Sequence, residues 1–225
     1  MDISPIAYYR GPFGSKFGIP RQSSVIEDIG GCIVFEPAFR SRDAIKGLEG
    51  FDWLWLIWGF SANPTDDKTF HATVRPPRLG GNRTVGVFAS RSPFRPNPLG
   101  LSSVRLASIE LDAPSGPLLH VLGADLMDGT PIYDIKPYLS FCDSHPDAKQ
   151  GFISENDWEE LEVVLPADAA SFFSPDEMGI LRRTLALDPR PRVQHDQAKV
   201  YGFPFSGHEV RFTVSGRTLT VVGID

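Results

Sequence analysis

Up to about Tyr138 the chain almost never sustains apolar residues at helical spacing, and residues 42–48 offer only a short turn of helix. What recurs instead is a short apolar run followed by glycine or proline: GGCIVFE (30–36), WLWLIWGF (53–60), TVGVFAS (84–90), SVRLASIEL (103–111), PLLHVLG (117–123) and TPIYDI (130–135). Runs this short, rich in Val, Ile, Phe and Trp, read as strands. Parallel strands need crossover helices, and the helices are missing, so the expected fold is mainly β, an antiparallel β-barrel. The twenty prolines and twenty-one glycines of the 225 residues match the many turns such a fold requires, and 41% hydrophobic content supplies an ordinary core. WLWLIWGF reads as core wall in this picture rather than as an exposed aromatic platform.

The pattern changes after the polar stretch 143–150. Ser174, Pro175, Asp176 and Glu177 form a helix start: a capping hydroxyl, proline at the first position, and carboxylates facing the helix dipole. Met178, Leu181 and Leu185 follow at helical spacing until Asp188 and Pro189 end the run. Val210, Phe212 and Val214 alternate with polar residues, as do Leu219 and Val221 beyond the Ser215-Gly216-Arg217 turn, which predicts a hairpin. The expected organisation is a β-barrel domain over 1–142 and a small C-terminal α+β domain over 143–225.

Charge is distributed unevenly. Lys68, Arg75, Arg78, Arg83, Arg91, Arg95 and Arg105 fall in one window that contains no acid, although the net charge of the chain is -6. The window therefore carries +7 and the remainder -13. A local basic surface of this kind suits an anion such as phosphate despite the acidic whole. Neither a GxGxxG turn nor a GxxxxGK[ST] loop occurs, and GPFGSKFG (11–18) lacks the spacing of a phosphate loop. Five scattered histidines and two distant cysteines, Cys32 and Cys142, give no metal-ligand spacing, and both thiols read as buried and free. His120, inside an apolar run, reads as a structural histidine. The N-terminus has no leader pattern and the longest apolar run is far too short for a bilayer, so a reducing cytoplasm and no membrane are expected.

Three segments together resemble one family: GIPRQ (18–22), VRPPRLGGN with GVFASRSPFRPNPLG (74–82 and 86–100), and DLMDGTPIYDIKPYL (125–139). They are similar to the TrmO family of S-adenosylmethionine-dependent tRNA methyltransferases. That resemblance implies a β-barrel in place of a Rossmann sheet, a homodimer, and N6-methylation of threonylcarbamoyladenosine beside the anticodon of tRNA. It is strongest over the first 140 or so residues and continues into LALDPRP (185–191) and the final hairpin. The chain departs from the family pattern at Asp52-Trp53, where a Ser-His pair is common, and at Phe60-Ser61, where a His usually closes the strand.

By that resemblance, and by the needs of a zwitterionic, sulfonium-bearing nucleoside, Pro20, Arg21 and Gln22 form one expected cofactor loop. Ser61 and Ala62 form a second, Arg91 a third contact, Leu101 an apolar wall, and Asp125, Leu126, Met127 and Asp128 the segment closing over the nucleoside. Alignment of donor and acceptor should dominate catalysis. Asp134 and Asp128 are candidate bases, near Lys136, and a plain strand-end ion pair between Asp134 and Lys136 is an equal alternative. Arg75, Arg78, Arg83 and Arg95 suit anticodon-loop phosphates. Two other readings stand beside this one: an RNA- or nucleotide-binding barrel without turnover, and a methyltransferase acting on a small molecule.

Overall fold

Alternation along strand β3 (Trp53–Gly59) decides which side of the wall is buried: Leu54, Leu56 and Trp58 face inward while Trp53, Trp55 and Ile57 stay partly exposed. The same period-two logic holds in β1 (Ala7–Arg10), β2 (Gly30–Phe35) and β7 (Leu118–Leu122), and in β6 (Leu99–Glu110) and β8 (Pro131–Pro137) up to a register shift in the pairing of each. These six strands close into a barrel in the order β1-β2-β7-β6-β3-β8, with every neighbouring pair antiparallel. The expected antiparallel barrel is thus present. In this computed structural model the described residues are 2–62, 70–76, 83–155, 160–190 and 199–225.

One run departs from its reading. In TVGVFAS only Val85–Gly86 (β5) is extended, paired with Thr73–Val74 (β4) in a separate two-stranded ribbon. The chain then turns through a 3-10 helix at Val87–Ala89, because Val87 is the anchoring apolar side chain and Phe88 is left outside. Strand β6 begins four residues earlier than its apolar run suggests. Gly100 explains why: a Cβ there would lie 2.2 Å from the Trp58 ring, so the strand runs on only where a glycine lets the indole pass.

The barrel interior is filled by Tyr9, Ile33, Phe35, Leu54, Leu56, Trp58, Val104, Leu119, Val121, Leu126 and Ile132. Tyr9 is fully buried, and Gly11 and Gly31 leave the space for its ring, since a Cβ would come within 2.5 Å and 2.2 Å of it respectively. The short helix α1 (Ser140–Asp143) follows the barrel, and Asp143 accepts a hydrogen bond from the Trp55 indole at 2.8 Å.

A second core lies between helix α2 (Pro175–Ala186) and a sheet of order β10-β11-β12-β9. Its strands are β9 (Glu162–Val164), β10 (Tyr201–Phe205), β11 (His208–Ser215) and β12 (Thr218–Ile224). The helix starts as the sequence predicts: Ser174 and Glu177 form a reciprocal capping box with Pro175 behind it. This core also takes in Phe13, Phe17, Ile19, Ile26 and Ile29, which belong to the connection between β1 and β2.

Gly31→Ala should drive its methyl into the Tyr9 ring and cost about 1–3 kcal/mol. For a chain of this length thermal unfolding should then fall by roughly 2–10 °C. An unchanged midpoint would mean that Tyr9 can move aside.

Candidate active site

An antiparallel barrel puts alternate connections at opposite ends, and here β1, β3 and β7 finish where β2, β6 and β8 begin. Three connections therefore meet at one mouth: 11–29, 60–98 and 123–130. They carry Pro20, Arg21 and Gln22 on the first, Ser61, Ala62, Arg75, Arg83, Arg91 and Arg95 on the second, and Asp125, Leu126, Met127 and Asp128 on the third. Segments far apart in sequence are neighbours because of strand order alone.

Side-chain contacts knit the three together. Arg91 donates from Nη1 to the Gln22 amide oxygen, and Lys16 Nζ lies 3.5 Å from the Ala62 carbonyl oxygen. Asp125 accepts from the Ser102 hydroxyl at 2.5 Å, and Ser102 in turn accepts from the Trp58 indole N–H at 3.0 Å. Burial pushes the Asp125 carboxyl up from the ordinary aspartate range; the Ser102 bond, the Ser23 backbone N–H and the Arg91 charge oppose that push without cancelling it. The Tyr9 hydroxyl, fully buried, makes no hydrogen bond among the described residues, and burial first, then Asp125 and Asp128, raise its pKa.

The first connection is held from the far side by the second core. Phe13 bridges to Phe205, Ser206 N donates to Pro12 O at 2.8 Å, and Asp28 pairs with Arg183 of α2. Gly18 has φ 91°, and a Cβ there would lie 2.4 Å from the Phe203 ring, so the loop lies flat against β10. Beyond it Ser24 takes the left-handed conformation with φ 62°, which non-glycine residues seldom adopt, while its N–H donates to Gly123 O at 2.8 Å. Arg21 is turned toward the end of α2. Burial works against the Asp188 carboxylate there, but two Arg190 bonds at 2.8 and 2.9 Å, with the added charge of Arg21, hold its pKa below the ordinary range.

Other expected residues are placed differently. Residues directly opposite in a ladder share a face, so Leu101, Ile57 and Asp134 form one row, and Ser103, Trp55 and Lys136 the next. Both rows lie on the outer face of the wall, whereas Ser102 points inward. Leu101 is 56% exposed there, and Asp134 pairs with Lys136 at 2.9 Å while accepting the Ile135 N–H. Asp128 accepts from Gly11 N at 3.2 Å and lies 3.4 Å from Arg10, tying the 127–130 turn to the end of β1. Leu126 is buried in the barrel core, so only its backbone faces the mouth. Arg75 and Arg83 flank the β4-β5 ribbon, Arg95 donates to Ser90 O at 3.3 Å, and Arg78 lies outside the described residues.

Ser102, Trp58, Ser24 and Tyr9 were not anticipated as site residues. Ser102 alone left a trace in the sequence, as a polar residue at an inward position between Gly100 and Val104. The histidine reading fits His120, which lies 3.1 Å from Glu110. The cysteine reading needs correction: Cys32 is half-buried and Cys142 is exposed, because α1 sits outside the barrel wall. Among the described residues no group of three His, Cys, Asp or Glu is arranged to hold a metal, and no helix is long and apolar enough to cross a membrane.

Comparison with known proteins bears on both halves of the chain. The tRNA-methyltransferase O N-terminal domain matches residues 8–144, and the TrmO C-terminal domain matches 159–225. A tRNA (adenine(37)-N6)-methyltransferase of Escherichia coli is 36% identical, covering 100% of this chain and 98% of its own length. A putative S-adenosylmethionine-dependent methyltransferase of Pseudomonas aeruginosa is 37% identical over 85% of this chain and 83% of its own. A crystal structure of TrmO from the same species superposes with a TM-score of 0.77 at 29% identity, covering 100% of this chain and 96% of that one.

The raised Asp125 pKa has a thermodynamic sign. Between the ordinary value and the raised one, the folded chain keeps a proton that the unfolded chain has lost, so stability falls as pH rises through that window. Asp125→Asn keeps an acceptor for Ser102 without the charge. Denaturant unfolding across pH should show the decline from about pH 4 upward flattened in the variant; parallel profiles would show a well-solvated carboxylate.

Proposed function

The chain belongs to the tRNA-methyltransferase O family, and from that membership we propose how its barrel mouth works as an S-adenosylmethionine-dependent tRNA adenine-N6 methyltransferase. The acceptor we assign is threonylcarbamoyladenosine beside the anticodon. The observation that carries the reading is the bond of Arg91 to Gln22, with Asp125 near enough to feel the Arg91 charge, the three supplied by separate connections at one mouth. This donor set fits the cofactor. A guanidinium and an amide suit an amino-acid carboxylate, a half-enclosed carboxylate suits an ammonium or ribose diol, and the backbone at Ala62, Leu126 and Met127 offers amides to a nucleobase. Pro20, Arg21, Ser61, Leu101 and Asp128 complete the proposed set.

When bound, S-adenosylmethionine supplies a methyl already activated by its positive sulfur. What remains for the protein is alignment and exclusion of water. The acceptor nitrogen is a weak nucleophile, because its lone pair is delocalised into the ring and the carbamoyl group, so removal of its proton assists. Asp134, partly exposed on the outer face and oriented by Lys136, is the base we assign, while Asp128 ties the 127–130 turn to the end of β1. Arg75, Arg83 and Arg95, with Arg78, are assigned to phosphates of the anticodon loop. A homodimer in the cytoplasm is part of the same reading. Its support is the outer row of Leu99, Leu101, Ile57 and Trp55, an apolar stripe on a wall that also carries Asp134.

Incubating the protein with methyl-labelled S-adenosylmethionine and tRNA from a strain lacking such an enzyme, followed by nucleoside mass spectrometry, tests the reaction. One added methyl on threonylcarbamoyladenosine is expected; label on a small molecule alone, or on no nucleoside, would overturn it. Arg91→Ala should raise KM for the cofactor about tenfold. Asp134→Asn should instead lower kcat by about a hundredfold, with cofactor affinity unchanged.

A further inference from the structure

Two aromatic side chains beside the mouth are unused by the chemistry above. Phe70 and Phe88 are 56% and 73% exposed, yet their rings lie 6.2 Å apart and within 26° of parallel. An exposed pair of this kind leaves a large apolar face in water, which folding alone does not favour. The backbone under it is well supported. Thr73 pairs with Gly86 in the β4-β5 ribbon, Val87 N donates to Ala72 O at 2.9 Å, the Val87 side chain is buried, and Ser90 N closes back on Val87 O at 3.2 Å. The rings are therefore presented outward by a fixed turn.

Two features say what covers them. No acidic residue occurs anywhere between positions 68 and 109, and exposed Arg75 lies between the two phenylalanines in sequence with exposed Arg91 just beyond Phe88, so the surroundings favour a polyanion. Phe88 is also only three residues from Arg91, at most about 11 Å of chain, which is a few steps of a stacked strand. A nucleotide neighbouring the one in the mouth is within reach.

We propose that Phe70 and Phe88 form a stacking platform for an unpaired nucleobase flanking the adenine that is methylated. Withdrawing the target base from its stack leaves a neighbour without its partner, and an aromatic face replaces that contact whatever the base. The positive charges hold the backbone, and the rings hold the base. A second copy of the chain is the less suited occupant, because the apolar outer row of β3 and β6 offers it a separate surface with no excess of charge to neutralise. The inference rests on the tRNA reading given above.

The probe is an anticodon stem-loop carrying 2-aminopurine at each position beside the target adenine, read by fluorescence on binding the full chain. At one of those positions the unaltered protein should quench the signal, and Phe88→Ala should abolish the quench and raise KM for tRNA about tenfold. Phe70→Ala should act in the same direction, and Phe88→Trp should restore both readouts. Cofactor affinity should stay unchanged in all three. A quench and KM unaffected by Phe88→Ala would overturn the platform, as would dissociation of an oligomer on that substitution with the quench intact. Absence of methylation by the unaltered chain would sink the tRNA reaction itself, while the fluorescence would still decide whether these rings receive a base.

Discussion

Everything at the barrel mouth depends on how residues 13–29 are held. This connection is too long to be a tight turn and would be a loose flap on an isolated barrel. Its apolar residues are instead buried with β10, β11 and α2, while its far side meets Asp125 and Arg91. The C-terminal sheet is thus a backing plate for the loop that carries Pro20, Arg21 and Gln22. Gly18 lets that loop lie against Phe203, and the left-handed Ser24 turns it back toward Gly123. Strain at Ser24 persists because both neighbouring cores over-determine the path.

The same packing explains the electrostatics inside the mouth. Asp125 sits where Trp58 and Leu126 exclude water, so its charge is poorly solvated and leans on the Trp58-Ser102 relay and on Arg91. Asp188 is its counterpart on the second core: burial opposes its charge too, but a bidentate guanidinium wins. The two carboxylates face connection 11–29 from opposite sides. One finds a cation close enough to stay charged, and the other depends largely on a hydroxyl, which is a weaker compensation.

Much of this architecture was legible because its signals are local. Period-two alternation marks β3 and β7, and the Ser174–Glu177 cap marks α2, since each element's own residues carry the pattern. The reading fails where tertiary contact decides. TVGVFAS looks like a strand, yet one buried valine and one exposed phenylalanine make it a turn, and burial cannot be read from a run of apolar letters. Ser24, Tyr9 and Ser102 gain their roles only from neighbours up to a hundred or so positions away, so no spacing rule finds them. The family resemblance pointed to the segments that meet at the mouth, but not that the apolar residues of connection 11–29 pack into the second core rather than the barrel.

The wall of the barrel divides the assigned residues between two faces. Asp125 and Ser102 look inward, while Leu101 and Asp134 look outward from the same pair of neighbouring strands. A side chain on one face cannot reach a ligand lying against the other without crossing the sheet. A single site using both sets must therefore either curl over the strand ends at Gly59 and Leu99 or receive its outward members from a second copy. Gly59 lacks a side chain because the Tyr133 ring occupies that space, so the rim there is already filled by an aromatic. Under the proposed assignment this favours the second arrangement, in which the outward row of a second copy, Leu101 and Asp134 with their apolar neighbours, would reach the mouth. Under the proposed assignment of Asp134 and Leu101, the proposed homodimer follows from the chemistry rather than being an addition to it.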